Sequence, residues 1–192
     1  MARSSSRRSS APTSLSAPGA RTAPDASRAL PRVWQGIEYR PLQDLAPAWE
    51  LFEFAAVALP ATIGPGMALG ALADGVRLVG AVVIEEGGGA ALLHGPVVGG
   101  AGAREAVDPM EVAAQLANAA IDHVGARGIK TVFARPQGLD RIWVRFGFIP
   151  VPEVSLPDAL RGQPGAGLFA YRGGSALWSP RAARDLEEQA ER

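Results

Sequence analysis

Three apolar runs, Ala68 to Ala73, Arg77 to Glu85 and Ala90 to Val98, are separated only by Asp74-Gly75 and by Glu86-Gly87-Gly88-Gly89. Asp-Gly and glycine-rich connections supply the positive-φ residues that tight hairpins need, so this stretch predicts an antiparallel meander. A domain built on it needs helices to cover the sheet. Pro109 to Val124 predicts the longest one, with Met110, Ala113, Leu116, Ala117, Ala120, Ile121 and Val124 on an apolar face and Glu111, Gln115, Asn118 and Asp122 opposite.

Upstream, Ile37 to Pro41 reads as a first strand. Asp44 then stands as an N-cap before a helix carrying Leu45, Trp49, Phe52, Ala56 and Leu59 at helical spacing, with Pro60 as its end. Downstream, Ala126 to Phe148 reads as a helix end at Gly128, a β-branched strand through Ile129, Thr131, Val132 and Phe133, a Pro-Gln-Gly turn, and a short helix closing on Gly147. Val151 to Ser155 and Leu168 to Tyr171 are expected as the last two strands. Ser179-Pro180 is expected to open a short charged helix with Arg181/Asp185 and Arg184/Glu188 four residues apart.

Composition sets the boundaries. The chain has 192 residues, 47% of them hydrophobic, which suits one domain with a sizeable core. Residues 1–32 are Ser, Ala, Pro and Arg with almost no large apolar side chain, and are expected to be a disordered tail. The domain is then expected over 33–178, with 179–192 as the appended helix. The tail carries Arg3, Arg7, Arg8, Arg21, Arg28 and Arg32 against Asp25 alone, so the rest of this formally neutral chain is acidic. That leaves the folded part without an electrostatic case for nucleic acid or an acidic membrane, and confines any weak nucleic-acid contact to the tail. Cysteine is absent and there are only two histidines, so neither a disulfide framework nor a metal site is expected. The longest uncharged run, Phe54 to Ala73, is broken by Pro60, Gly64, Pro65, Gly66 and Gly70, which argues against a membrane span. A cytoplasmic protein is the expectation.

The segment Trp143-Val144-Arg145-Phe146-Gly147-Phe148 resembles the Tyr-Glu-Arg-Leu-Gly-Phe helix end of the GNAT superfamily of acyl-CoA-dependent N-acetyltransferases. Val76-Arg77-Leu78-Val79-Gly80-Ala81-Val82-Val83 is similar to that family's Leu-Val-Gly strand. The resemblance covers about Ile37 to Arg172. It implies an α/β (α+β) domain whose mixed, mostly antiparallel sheet is flanked by helices on both faces and opens in a V between the central strands. It also implies an acyltransferase, most simply of acetyl groups, moving the acyl group from acetyl-CoA or another acyl-CoA to a small-molecule or protein amine. The other reading is a catalytically inactive GNAT-like domain that binds a ligand or a protein through the same opening.

The family holds its cofactor's pyrophosphate on an Arg/Gln-x-x-Gly-x-Gly/Ala loop at a helix N-terminus, where free amides and the helix dipole attract phosphate. Here that place falls on Asp108-Pro109-Met110-Glu111-Val112-Ala113, of which only Ala113 agrees. Asp108 suits an N-cap, Pro109 a first helical residue and Glu111 the reciprocal member of a capping box, and two carboxylates there oppose an anionic cofactor. A displaced cradle is available upstream in Val97, Val98, Gly99, Gly100, Gly102 and Arg104, which a plain flexible insertion explains equally well. The family's frequent proton-donating Tyr is matched by Trp143, whose indole cannot do that work, and Tyr171 is the candidate replacement. For a general base the candidates are Glu85 and Glu86 at a strand end and His94 on the central strand. Trp49 and Phe52 either line an acceptor cleft or fill the core.

Overall fold

The computed structural model describes residues 32–99, 107–135, 137–161 and 177–180. Along the chain these form β1 (Arg32–Trp34), β2 (Ile37–Pro41), α1 (Ala46–Phe54), β3 (Ala68–Ala73), β4 (Arg77–Gly87) and β5 (Ala90–Val98). There follow α2 (Pro109–Ala126), β6 (Thr131–Ala134), α3 (Asp140–Arg145), β7 (Phe148–Val151) and β8 (Leu177–Pro180). The strands make one sheet in the order β1-β2-β3-β4-β5-β6-β8-β7. Neighbours run antiparallel except β5 and β6, which are parallel. Parallel neighbours need a long crossover, and α2 supplies it. The result is the mixed, mostly antiparallel sheet with helices on both faces that the resemblance implies.

The expected meander is β3-β4-β5. Asp74 and Gly75 take φ of 53° and 72°, and Gly88 and Gly89 take 58° and 78°. These left-handed pairs match the right-handed twist of the flanking strands. The helix ends are equally local. Gly128, at φ 82°, follows α2 while Ile129 N–H reaches back to the Val124 carbonyl, and Gly147, at φ 76°, follows α3.

Several boundaries differ from expectation. Helix α1 ends at Phe54, well before Pro60, because Ala56 turns left-handed and the Ala56 and Val57 amides donate to the Glu53 and Phe52 carbonyls. That pair of bonds is a Schellman closure, made here without glycine. The residue flanking α1 is Leu45, and Asp44 sits one place further out, where its carboxylate still accepts from the Ala46 amide at 3.0 Å. Trp49 is 43% exposed, so only Ala48 and Phe52 of α1 are buried. Arg32, assigned to the tail, belongs to β1, which pairs back on β2 through Gln35-Gly36. The strand expected at 151–155 lies earlier, at β7, and Glu153–Ser155 is a 3-10 turn. Ser179 and Pro180 end strand β8 instead of opening a helix, since burial of Leu177 and Trp178 outweighs a local capping signal. The strand expected at 168–171 and the helix beyond 180 lie outside the described residues.

Two apolar layers cover the sheet. On one face Val112, Ala113, Leu116, Ala117, Ala120 and Val124 of α2, with Ile142 and Trp143 of α3, pack on Val82, Ile84, Ala91, Leu93, Val132 and Ala134. On the other, Ala48 and Phe52 of α1 pack on Ala68, Ala81, Val83 and Val97. Beside them Leu156 and Leu160 pack with Ala90, Leu92, Phe133 and Leu177. Among the described residues no helix is long and apolar enough to cross a membrane. Met110 is 41% exposed, not on the packed side of α2 as its spacing suggests. Leu116→Ala is therefore expected to destabilise by roughly 2–5 kcal/mol, and Met110→Ala by less than about 0.5 kcal/mol, as read from denaturant midpoints. Equal losses would contradict this assignment of faces.

Candidate functional site

The parallel ladder joins Ala90–Leu93 of β5 to Thr131–Ala134 of β6 and ends at Leu93 and Ala134. Strand β5 continues to Val98 on β4 alone. The sheet therefore forks, and the first residues past the fork are His94 on one arm and Arg135 on the other. Side chains alternate between faces along a strand. Leu92 and Phe133 belong to the layer under Leu156 and Leu160, so His94 and Arg135, two positions on, share that face. Glu85, in phase with Val83 on β4, joins them.

His94 is 1% exposed, and its Nε2 lies 2.9 Å from Glu85 Oε2, which is partly open to solvent at 15%. Burial pushes the imidazole pKa below its ordinary value; hydrogen bonding to Glu85 raises it, the Arg135 charge lowers it and the backbone of Ala58 raises it. The ring is thus held neutral while facing two acceptors. A neutral imidazole has one N–H, so a second proton would find a hydrogen bond waiting. Arg135 is 3% exposed, and its Nη1 and Nη2 donate to the Glu153 carboxylate at 3.3 and 3.2 Å. Its Nε is buried without a partner among the described residues.

The other candidates fall elsewhere. Glu86 points to the opposite face, as the neighbour of Glu85 in a strand must. There its carboxylate takes Arg127 Nε at 2.6 Å and Nη2 at 3.1 Å, tying β4 to the end of α2. Glu86 is therefore a structural ion pair and not part of the fork. Beside it His123 is buried with Nε2 unpartnered among the described residues, and burial followed by the Arg127 charge lowers its pKa. Val97 packs under α1 and Val98 against the α2 layer, and the Gly99 amide donates to the Val79 carbonyl at 2.9 Å. The Gly99 amide is thus spent within the sheet and cannot serve a phosphate cradle. Gly100, Gly102, Arg104 and Tyr171 lie outside the described residues. Trp143 is buried in the core against Phe148, with ring centroids 5.3 Å apart. Among the described residues no group of three or more His, Asp or Glu side chains could hold a metal ion.

At the start of α2, Asp108 Oδ1 accepts from the Met110 amide at 3.0 Å, the Asp108 carbonyl takes the Glu111 and Val112 amides, and Pro109 has none to offer. Glu111 does not reach back to close a capping box. It is held instead by Arg145 of α3 at 2.7 and 3.3 Å and by Gln115, and the Arg145 hydrogen bonds lower its pKa. The first-turn amides are all engaged, so this end of α2 does not fit the diphosphate of a nucleotide cofactor. Among the described residues, 94–98 of β5 have no ladder partner on the β6 side.

Sequence reasoning missed Arg135 and Glu153. The signal for Arg135 was its phase with the apolar Phe133, which aims it inward. Glu153 carried no comparable signal, because only the 3-10 turn brings it over Arg135.

No protein-family model matches the sequence, and neither does any curated protein. Solved structures with a similar fold include N-acetylglutamate synthase from Neisseria gonorrhoeae in complex with coenzyme A and N-acetyl-glutamate. It is 17% identical with a TM-score of 0.54 over 75% of this chain, and the chain spans only 34% of its length. A putative acyl-CoA N-acyltransferase from Klebsiella pneumoniae is 13% identical with a TM-score of 0.54, over 76% of this chain and 97% of that one. An acetyltransferase from Streptococcus agalactiae is 12% identical with a TM-score of 0.52, over 77% and 99%. The chain has the GNAT fold, and at such identities the likeness extends to the fold alone.

The two depressed imidazoles make stability depend on pH. In the unfolded chain both titrate near about 6.5, so below that value the unfolded state binds more protons than the folded one. Stability is expected to be full above pH ~6.5 and to fall as pH drops through the depressed folded values. His123→Gln should flatten part of that slope in urea titrations at pH 7.5, 6.5 and 5.5. A slope of the opposite sign would refute the burial argument.

Proposed function

We propose that this domain is an N-acyltransferase that moves an acyl group, most simply acetyl, from acyl-CoA to an amine, with Glu85 taking the amine's proton and His94 holding Glu85 in place. The observation that carries the reading is the Glu85–His94 pair at the mouth of a strand fork in a GNAT fold. Glu85 is the member open to solvent, and with a neutral His94 the pair carries one negative charge. An amine must be deprotonated to attack, and one proton brings the pair to neutrality. Oε2 is fixed by His94, which leaves Oε1 to face the acceptor. The β5 edge over residues 94–98 would hold the acyl-bearing arm, and acyl-CoA supplies the activated thioester. Placement beside that edge converts the encounter into a reaction within one complex. A cysteine-free chain using acyl-CoA suits the cytoplasm.

The self-capped start of α2 favours a second reading, in which the fork binds another ligand or a protein segment and no acyl transfer occurs. Acetyl-CoA distinguishes the two. A ligand at about 100 times its Kd stabilises by roughly 2.7 kcal/mol, and each kcal/mol moves Tm by roughly 2–4 °C at this size. The acyltransferase reading expects a rise of roughly 5–10 °C and acetyl-CoA-dependent thiol release with a suitable amine. Glu85→Gln should then lower kcat by about 10²–10⁴-fold with the Tm rise retained. Absence of both a shift and calorimetric heat at millimolar acetyl-CoA would sink acyl transfer and leave the binding module.

A further inference from the structure

We propose that the guanidinium of Arg135 is the seat of a carboxylate on the acceptor, so that the acceptor class is amino acids and not simple amines. The inference rests on the acyltransferase reading for its chemistry, though the carboxylate site itself stands on Arg135.

Arg135 is the only buried cation of the lysine and arginine type among the described residues. A guanidinium does not shed its charge, so burying one at the fork demands a matched anion. Glu153 meets that demand poorly. Its two contacts are 3.2 and 3.3 Å, whereas strong guanidinium–carboxylate bonds lie at about 2.7–2.9 Å, and elsewhere in this protein Arg127 and Arg145 reach carboxylates at 2.6 and 2.7 Å. Glu153 is also 31% exposed and rides on a three-residue turn beside the exposed Val154, so its carboxylate regains water readily once another anion takes its place on Arg135. Nε, the edge of the fork that Glu153 does not cover, is buried without a partner among the described residues. A planar carboxylate approaching from the fork would take that edge in two parallel bonds.

The neighbouring charges fit the rest of such a molecule. Arg135 is close enough for its charge to act on His94, and His94 is bonded to Glu85. With His94 neutral, Glu85 and Glu153 against Arg135 leave one negative charge. A zwitterion places its ammonium beside Glu85 and its carboxylate on Arg135, so both ends meet an opposite charge. In the transfer the ammonium first gives one proton to the Glu85–His94 pair; the free amine then forms the new C–N bond as the C–S bond breaks, and the second proton shed by nitrogen goes to the departing thiolate through water, leaving an amide and the thiol of CoA. Glu153 serves as the resting anion, displaced when the acceptor enters.

The test uses the full chain, a panel of L-amino acids and the carboxamide of each, which keeps the amine and removes the charge. Thiol release with acetyl-CoA gives kcat and KM, and calorimetry without acetyl-CoA gives acceptor binding. At least one amino acid should outperform its carboxamide by roughly tenfold to a hundredfold in kcat/KM, the scale of lost charged hydrogen bonds. Arg135→Gln should raise the amino acid KM by a similar factor while acetyl-CoA binding is unchanged, Arg135→Lys should recover part of it, and Glu153→Gln should lower KM. Carboxamides used as well as the acids would overturn the proposal, as would Arg135→Gln and Glu153→Gln changing Tm alone, the mark of a mere latch. If Arg135→Gln does not fold, Glu153→Gln and the acid–amide comparison decide. If acetyl-CoA neither binds nor reacts, acyl transfer fails separately, and calorimetric preference for acid over amide still decides the carboxylate site.

Discussion

The early end of the parallel ladder between β5 and β6 is the constraint on which the site depends. The strands stay paired through Leu93 and Ala134 and then separate, while β5 remains anchored to β4 as far as Gly80 and Val98. Separation leaves one backbone edge of β5 unpaired among the described residues, and it sets the buried His94 and Arg135 on one face from different strands. The Arg135 charge disfavours protonation of the buried His94, and each of the two is matched by a carboxylate brought from outside the pair, Glu85 from β4 and Glu153 from the turn after β7. Two apolar layers, under α1 and under Leu156 and Leu160, flank the cluster and keep most of it from water.

How much of this was legible in the sequence follows from the range of the physics involved. The meander was readable because Asp74-Gly75 and the glycines after Glu86 specify their turns locally, and α2 and α3 were readable because Gly128 and Gly147 stop them. Where closure came without glycine, as at Ala56, the end of α1 was set too late, at Pro60. Strand β8 was hidden because Ser-Pro reads locally as a helix start, whereas the burial of Leu177 and Trp178 is a long-range fact. At the site, Glu85 and His94 could be picked by residue type, but only the register shift between Ala81 and Val83 fixes which residues of β4 and β5 meet. Glu86 fell away by strand alternation alone, a rule that the sequence contained.

The start of α2 shows one set of backbone amides claimed by competing uses. A helix N-terminus offers its free N–H groups either to a cap or to an anion. Asp108 and Pro109 commit them to the cap, and Arg145 then neutralises Glu111 from α3, which joins the two helices on that face. The arrangement strengthens the fold at the place where an acetyltransferase of this architecture gains affinity for its donor. On the acyl-transfer proposal, the donor is held away from the self-capped start of α2 and beside the strand edge.

Trp143 carries the same logic into the proton balance. The position that resembles the family's acidic tyrosine is filled by an indole packed on Phe148 within the α2 face, with Nε1 buried and unpartnered among the described residues. An indole N–H donates a hydrogen bond but does not give up its proton at neutral pH. Trp143 therefore cannot act as an acid. On the opposite face Glu85 and His94 form the titratable pair that lies next to the fork and within reach of water, through the carboxylate. A single pair that receives the amine's proton before bond formation is restored only when that proton leaves by the same carboxylate. On the acyl-transfer proposal, the chemistry therefore runs on one face of the sheet, with Glu85 as the way in and out for the proton.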